Sequence, residues 1–184
     1  MKTVLWLRSL LCWRMNGSQA QSTVAGCNGD THILKSDRHG QMRVYDAVDG
    51  YRLRADVVCF RDTRKEEMLL VTAKSLDVWT IPGGGYEPGE TFEETALREA
   101  NEEAGVEGTI LEYLGTFDYS VKKTRTKLFT MVVTKELDKW QDMEKCNRQR
   151  RWFSREEAVA NIRVGKPWKT AWVLLALENL HSDI

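Results

Sequence analysis

The sequence is poor in cysteine and proline, carries no excess of either charge and contains no long apolar run. Four cysteines and three prolines occur in 184 residues, and no two cysteines form a CxxC pair. This spacing argues against a zinc ribbon or a dense disulfide framework, so we expect reduced thiols in a cytosolic protein. Lys and Arg together number 27, as do Asp and Glu, so the chain as a whole is not attracted to nucleic acid or anionic membranes. Arg8 interrupts the apolar start, and no segment has the roughly 20 apolar residues that span a bilayer.

The remaining composition is typical of one soluble globular domain with a tail. Hydrophobic residues make up 42% of the chain and charged residues 29%, which excludes wholly disordered classes. Residues 1–29 contain basic residues but no acid, a pattern typical of an organelle presequence and also of an unstructured start, so both interpretations stay open. Residues 15–42 are rich in Gly, Ser, Asn and Gln and lack periodic hydrophobics. We therefore predict a flexible lead-in over residues 1–42 and one folded domain over residues 43–182.

Apolar, β-prone runs outnumber helical segments in that domain. We predict strands at residues 55–60, 68–72, 78–81, 110–117, 128–134 and 151–153. Helices are predicted after Thr91 and Ser154, each of which is followed three residues later by the Glu of a capping box, and from Pro167 to residue 180. Because strands and helices do not alternate strictly, the pattern favours an α+β fold with a mixed sheet flanked by helices.

The helix after Thr91 has an uneven charge distribution. At about 100° per residue, Glu99, Glu102 and Glu103 share one arc, and small or apolar residues fill an adjacent arc. Like charges at this spacing repel each other, so the cluster favours a compensating cation. Carboxylate oxygens suit Mg²⁺ or Mn²⁺, which bridge to substrate phosphates. A solvated acidic helix face is the alternative for the three glutamates taken alone.

The segment around this helix resembles a known motif. Gly84, Glu90 and the run REANEEAGV that begins at Arg98 follow the pattern GX5EX7REUXEEXGU, the Nudix box. The chain thus resembles the Nudix hydrolases. That resemblance implies an α/β/α sandwich around a mixed β-sheet, with Mg²⁺ or alternatively Mn²⁺ as cofactor. It also implies hydrolysis of substrates in which a diphosphate is linked to a further group.

The resemblance assigns the metal and the base by position. It implies that Glu99, Glu102, Glu103 and Gly84 hold the divalent cation. Either Glu102 or Glu103 would be the catalytic base for the attacking water. A bound cation would screen the phosphate oxygens and lower the pKa of the water.

The remaining residues of the box are expected to shape the site. Glu90 and Arg98 would form a structural ion pair between the loop and the helix. Gly83, Gly84 and Gly85 would let the backbone approach substrate phosphate closely, as glycine-rich turns before a helix do.

Basic residues outside the box form several separate patches. Each patch alone is most simply a solvated face, since surface Lys and Arg are abundant, but together they predict a polyanionic ligand. The region from residue 43 to about residue 180 resembles the diphosphoinositol polyphosphate phosphohydrolases, which also hydrolyse diadenosine polyphosphates, in segments such as RVYDAVDGYRLRA, KKTRTKLF and NRQRRWF. On that resemblance, the substrate-binding basic residues are Arg52, Arg54, Arg125, Arg148, Arg150 and Lys166.

Four positions depart from the pattern of the animal members. Thr124 stands where a histidine is common, and Arg151 stands where an acid is common. Tyr86 and Gly89 replace parts of an acidic loop. These departures leave the substrate preference open.

The sequence therefore supports three hypotheses about function. The leading hypothesis is a metal-dependent hydrolase that removes the β-phosphate from diphosphoinositol polyphosphates and also cleaves diadenosine polyphosphates. The second is a Nudix hydrolase acting mainly on nucleotides, either diadenosine polyphosphates or the mRNA cap, which would need an aromatic platform. Trp79, Trp140, Trp152, Trp168 and Trp172 are candidates for stacking an adenine, although their place in apolar runs favours core packing. The third is a non-catalytic binder of inositol pyrophosphates, against which the intact box argues.

The expected partner is a small-molecule polyphosphate, with no requirement for nucleic acid or membrane. We expect a monomer in the cytoplasm, with the nucleus and, through residues 1–29, the mitochondrion as further destinations. None of the three histidines, His32, His39 and His181, has the setting of a catalytic residue. No Ser/His/Asp or Cys/His arrangement indicates covalent catalysis.

Overall fold

The computed structural model describes residues 22–25, 31–37, 40–73 and 77–178. Within these ranges the strands are β1 (Ser22–Ala25), β2 (Thr31–Ser36), β3 (Met42–Asp46), β4 (Arg52–Phe60), β5 (Glu67–Thr72), β6 (Trp79–Thr80), β7 (Gly83–Gly85), β8 (Val106–Tyr119), β9 (Thr124–Glu136) and β10 (Arg150–Ser154). The helices are α1 (Phe92–Ala104), α2 (Gln141–Cys146), α3 (Arg155–Gly165) and α4 (Pro167–Glu178), with a 3₁₀ turn at Ser120–Lys122. No helix in the described ranges is long and apolar enough to cross a membrane.

All ten strands join one sheet, in which β4 is the central strand. The sheet runs in the order β1-β2-β3-β4-β5-β10, and β9 also pairs with β4 and carries β8 on its other side. The β4–β9 pair is parallel, from Arg52 opposite Thr124 to Phe60 opposite Val132, whereas the other pairs are antiparallel. The sheet is therefore mixed, as the sequence predicts.

Helices cover both faces of this sheet. Successive side chains of β4 point to opposite sides, so alternate residues of this strand pack against different helices. Ala55, Val57 and Cys59 pack into a core cluster with the apolar face of α1. Val58 and Phe60 pack into a second cluster with residues of α3 and α4. This arrangement of helix, sheet and helices confirms the predicted sandwich.

Local capping signals fix the helices that the sequence predicts. The Thr91 hydroxyl accepts a hydrogen bond from the Glu94 N–H at 3.1 Å, and the Glu94 carboxylate accepts one from the Thr91 N–H at 2.7 Å. Helix α1 ends at Gly105, whose φ of 61° and ψ of 40° lie in the left-handed region. Ser154 and Glu157 form the same capping box at the start of α3.

The structure adds elements that the sequence did not indicate. The segment predicted as a flexible lead-in contains β1 and β2, which pair with each other and connect to β3. Strand β7 consists of three glycines, and α2 is polar without a buried residue, so neither carries the apolar pattern that predicts a strand or a helix. Residues 1–21, to which most of the targeting prediction applies, lie outside the described ranges, as do His39 and His181.

Candidate active site

The three glutamates of α1 lie where that helix meets the glycine strand β7. Glu99 is 8% exposed, and the Glu103 and Glu102 side chains are 15% and 33% exposed. The Glu103 carboxylate accepts a hydrogen bond from the Gly83 N–H at 2.9 Å. A Cβ added to Gly84 would overlap the Glu99 carboxylate, which would have to move to accommodate any other residue there. The helix and the glycine strand thus form one continuous site.

Each of these carboxylates is paired with an arginine. The Arg98 Nη1 lies 3.0 Å from Glu99 Oε1 and 3.6 Å from Glu102 Oε2. The Arg148 Nη2 lies 3.0 Å from Glu103 Oε1. Glu103 therefore has both oxygens engaged, whereas Glu102 has one long ion pair and the most exposed side chain of the three.

Arg98 also joins the loop to the helix through Glu90. Its Nε donates to Glu90 Oε1 at 2.6 Å, and its Nη2 donates to the Gly85 carbonyl at 2.9 Å. The Thr95 hydroxyl donates to the same carboxylate at 2.7 Å. Burial alone would raise the pKa of Glu90, but the hydrogen bonds from Arg98 and Thr95 outweigh burial and lower that pKa. The structure thus brings Glu90 and Arg98 together as the ion pair the sequence indicates.

Burial disfavours the charge of two carboxylates of α1. Burial and then the charge of Glu103 raise the pKa of Glu99 to about 7, although Arg98 opposes the shift. Burial also raises the pKa of Glu103, against the opposing effect of Arg148. Adjacent, buried oxygen donors of this kind fit a divalent cation such as Mg²⁺ in charge and in donor chemistry. As arranged, however, no three His, Cys, Asp or Glu side chains among the described residues converge as a metal-binding group.

A basic cavity of about 240 Å³ lies near β7, since its lining includes Arg54 and Asp56, the β4 partners of Gly85 and Gly83. Five cationic side chains line it against a single carboxylate, that of Asp56. The cations are Arg52, Arg54, Lys122, Lys166 and Lys169, and the remaining lining residues are Tyr119, Thr124, Thr126, Trp168 and Trp172. The excess positive charge suits this cavity to a polyanion.

The cations of the cavity are partly desolvated and repel one another. Burial, followed by the charges of Arg54 and Arg43, lowers the pKa of Arg52 to about 10. The buried Nε of Arg52 has no hydrogen-bond partner among the described residues. Burial, followed by the charges of Lys169 and Lys122, lowers the pKa of Lys166. A bound phosphate would relieve this repulsion.

The main chain of Gly83 links this cavity to the carboxylates of α1. The Arg54 Nη2 donates to the Gly83 carbonyl at 2.8 Å and lies 3.3 Å from Asp56 Oδ1, while the Gly83 N–H donates to Glu103. The Lys169 Nζ lies 2.6 Å from Asp56 Oδ2. Burial would raise the pKa of Asp56, but Lys169 and Arg54 outweigh burial and lower that pKa. The cavity and the acidic helix are therefore neighbours across one glycine.

Arg125, predicted to bind phosphate, does not line the cavity. Its guanidinium lies 2.7 Å from Asp46, 2.8 Å from Asp49 and 2.8 Å from Asp118. These three carboxylates engage its donors and tie β3, the following turn and β8 together. In this structure Arg125 is a structural residue, and a phosphate contact there stays a prediction.

Arg148 and Arg150 also lie outside the cavity lining, although both lie against α1. Arg148 is 6% exposed and is held by Glu103, by Asp142 at 2.9 Å and by the Thr72 carbonyl at 3.0 Å. Arg150 donates to main-chain carbonyls at the end of α1. In the structure both arginines contact other groups of the protein, and the sequence alone does not reveal these contacts. Their binding to phosphate stays a prediction.

Among the charged residues of the cavity, Asp56, Lys122 and Lys169 were not predicted from the sequence as site residues. Asp56 follows Arg54 by two positions on β4, so the strand period places both on one face, and this spacing could have identified it. Lys169 follows Lys166 by three positions across the start of α4, a spacing that brings side chains together on a helix. The predicted Arg52, Arg54 and Lys166 do line the cavity.

Comparison with known proteins identifies similar sequences and a similar fold. Residues 50–173 match the family described as NUDIX domain. Mouse diphosphoinositol polyphosphate phosphohydrolase 3-alpha is 41% identical over 129 residues, covering 69% of this chain and 78% of that protein. Human diphosphoinositol polyphosphate phosphohydrolase 2 is 40% identical over 128 residues, covering 69% and 71%. The solution structure of the E. coli ORF135 protein matches with a TM-score of 0.53 and 22% identity, covering 72% of this chain and 94% of that chain, and thus shares the fold.

Proposed function

The chain belongs to the Nudix family of hydrolases, and we propose that it uses a divalent metal to cleave the β-phosphate from diphosphoinositol polyphosphates and also hydrolyses diadenosine polyphosphates. The family membership and the names of its relatives support the first substrate class. The observation that carries the proposal is the basic cavity, which adjoins the carboxylates of α1 across Gly83.

The shape and charge of the cavity suit an inositol polyphosphate. Such a ligand has phosphates on all sides of a small ring, so it needs cations around a cavity rather than along a line. Arg52 and Arg54 approach from β4, Lys122 from the 3₁₀ turn, and Lys166 and Lys169 from the start of α4. Hydrogen bonds to charged groups contribute about 1.5–3 kcal/mol each, so several such contacts would give tight binding.

The carboxylates of α1 supply the metal site in this proposal. Nudix hydrolases generally use divalent metals such as Mg²⁺. Glu99, Glu102, Glu103 and Gly84 would hold the ion, which when bound screens the phosphate oxygens and lowers the pKa of a bound water. Cation binding would exchange the arginine partners of these carboxylates for the ion. Because Glu103 has both oxygens engaged, the freer Glu102 is favoured as the base that takes the proton of the attacking water.

An aromatic wall of the cavity favours nucleotides as a second candidate substrate class. The rings of Tyr119 and Trp168 stack with centroids 4.8 Å apart and planes 4° apart, and both residues line the cavity. An adenine could extend this stack, since every nucleobase presents a π face to an aromatic side chain. The same protein would then favour a diadenosine polyphosphate over the inositol substrate.

The test is Mg²⁺-dependent hydrolysis by the full chain of a diphosphoinositol pentakisphosphate and of diadenosine hexaphosphate. We expect Arg52→Met to lower kcat/KM for the inositol substrate by roughly 10- to 100-fold, the equivalent of one lost charge-assisted hydrogen bond. Arg151→Met removes an exposed arginine outside the cavity and serves as the matched control. Glu103→Gln should abolish most of the turnover.

Three outcomes would change the proposal. A strong preference for the dinucleotide would favour the nucleotide function. Tight inositol pyrophosphate binding without turnover would indicate a non-catalytic binder. Equal kcat/KM for Arg52→Met and Arg151→Met would show that the cavity does not bind the substrate.

A further inference from the structure

Two side chains from elsewhere in the chain cap the C-terminal end of α1. The last turn of this helix has no basic residue of its own. Instead, the Trp140 Nε1 donates to the Glu103 carbonyl at 3.0 Å. The Arg150 Nη1 donates to the Ala104 and Gly105 carbonyls, each at 2.8 Å. The Glu103 and Ala104 carbonyls, which a helix end leaves without helical partners, thus accept hydrogen bonds from an indole and a guanidinium, and the Gly105 carbonyl also accepts one from the Leu137 N–H at 2.8 Å.

These two side chains form a packed unit over the helix end. The Arg150 guanidinium lies 4.5 Å from the centroid of the Trp140 ring, and the Arg150 side chain is 15% exposed. A Cβ on Gly105 would lie 2.7 Å from the Trp140 Cβ and 2.8 Å from the Arg150 Nη1. Gly105 therefore allows the close approach as well as the left-handed turn. The Arg150 Nη2 also lies 3.4 Å from the Glu136 carboxylate on β9, which anchors the unit to the sheet.

Glu103 is consequently held at both ends. Its carboxylate is fixed by the Gly83 N–H and by Arg148, and its own main-chain carbonyl is fixed by Trp140. The Arg150 cation also offsets the partial negative charge that a helix C-terminus adds beside three carboxylates. Neither Trp140 nor Arg150 lines the basic cavity.

We propose that Trp140 and Arg150 are positioning residues that orient Glu103 for metal binding. This inference rests on the proposed metal-binding role of Glu103. It predicts a specific kinetic pattern, since loosening the last turn of α1 displaces Glu103 but leaves the substrate cavity intact. Metal affinity and kcat should fall while KM for the inositol substrate stays near its original value. If the two residues were only an ordinary helix cap, their substitution would lower the stability and leave metal affinity and kcat unchanged.

The experiment compares single substitutions in the full chain. Trp140→Phe keeps the ring and removes the indole N–H, and Arg150→Met keeps the length and removes the charge. Arg150→Lys restores the charge, and Arg151→Met is the control on the neighbouring, exposed position of β10. Mn²⁺ binding without substrate is measured by electron paramagnetic resonance. Hydrolysis of a diphosphoinositol pentakisphosphate gives kcat and KM, and circular dichroism confirms that each variant is folded.

Outer partners of metal ligands typically contribute 10- to 100-fold to metal affinity or activity. We expect Trp140→Phe and Arg150→Met to weaken Mn²⁺ binding and to lower kcat by about 10-fold each, with KM changed less than about twofold. Arg150→Lys should recover part of both losses. If Arg150→Met does not fold, Trp140→Phe decides the question alone.

Three outcomes would contradict this inference, and each has a different meaning. Unchanged Mn²⁺ affinity and kcat in folded Trp140→Phe would overturn the inference. A raised KM with normal Mn²⁺ affinity in Arg150→Met would show that Arg150 contacts the substrate instead. If the unmutated protein neither binds Mn²⁺ nor hydrolyses the substrate, the proposed function fails and this inference fails with it.

Discussion

Glu99 should make the metal-free protein less stable as the pH rises. Burial, together with the charge of Glu103, raises the pKa of this carboxyl from its ordinary 4.5 to about 7 in the folded protein. Between these values the folded state keeps a proton that the unfolded state has released, so the free energy of unfolding falls with increasing pH. At 1.36 kcal/mol per pKa unit, the full loss is about 3 kcal/mol.

The substitution Glu99→Gln isolates this effect because glutamine keeps the shape and cannot ionise. Urea denaturation in the presence of a chelator at about pH 5 and about pH 8 gives the free energy of unfolding of each protein. Relative to Glu99→Gln, the unmutated protein should lose about 2–3 kcal/mol between these two values. Glu87→Gln, in the exposed loop before α1, is the control and should follow the unmutated protein. If the unmutated protein and Glu99→Gln lost equal stability between the two pH values, the pKa of Glu99 would not be raised in the folded protein.

The raised pKa of Glu99 also predicts how the stabilisation by Mg²⁺ changes with pH. A protonated carboxyl binds Mg²⁺ poorly, so Mg²⁺ should raise the melting temperature more at about pH 8 than at about pH 5. The increase should be smaller in Glu99→Gln. An equal rise at both values would exclude Glu99 as a ligand that must lose its proton.

Three further substitutions test the geometry around α1. Gly84→Ala should reduce turnover strongly, because the added methyl overlaps the Glu99 carboxylate; normal kcat in a folded variant would refute this close approach. Arg148→Met should lower the free energy of unfolding in urea by about 3–5 kcal/mol, since it leaves the buried Glu103 carboxylate without its partner. Thr91→Ala should cost about 1 kcal/mol in the same assay by removing the helix cap, and it should leave kcat unchanged in the folded protein.

The box helix could be predicted from the sequence because its determinants are local. Thr91 and Glu94 close the capping box within one turn, and Gly105 stops the helix by its own backbone preference. The glutamate arc follows from the helical repeat alone. These signals do not depend on which distant segment packs nearby, so the helix and its acidic face agree with the structure.

The binding arginines could not be separated from the structural ones in the same way. Sequence reveals that Arg52 and Arg125 are charged, but not which of them meets carboxylates. In the fold, Arg125 is surrounded by Asp46 at the end of β3, by Asp49 in the following turn and by Asp118 from β8. The pairing of β4 with β9 and of β8 with β9 brings these residues together, and no local pattern encodes that pairing.

The strands before residue 43 were missed for a related reason. Strands β1 and β2 have no long apolar run; β2 pairs with the edge of β3, and β1 pairs in turn with β2. Strand β7 likewise consists of glycines that gain order by pairing with β4. Sheet membership in these segments depends on hydrogen bonds to partners far along the chain rather than on side-chain pattern.

The main chain of Gly83 contacts both the cationic cavity and the acidic helix. Arg54 holds the Gly83 carbonyl from the cationic cavity, and Glu103 accepts the Gly83 N–H from the acidic helix. A diphosphate that reaches from the cavity to the metal must therefore pass over these glycines. A Cβ on Gly85 would lie 2.8 Å from the Arg52 Nη2, and one on Gly84 would overlap the Glu99 carboxylate. Side chains on β7 would thus crowd Arg52 and Glu99, which the proposed function assigns to substrate and metal binding.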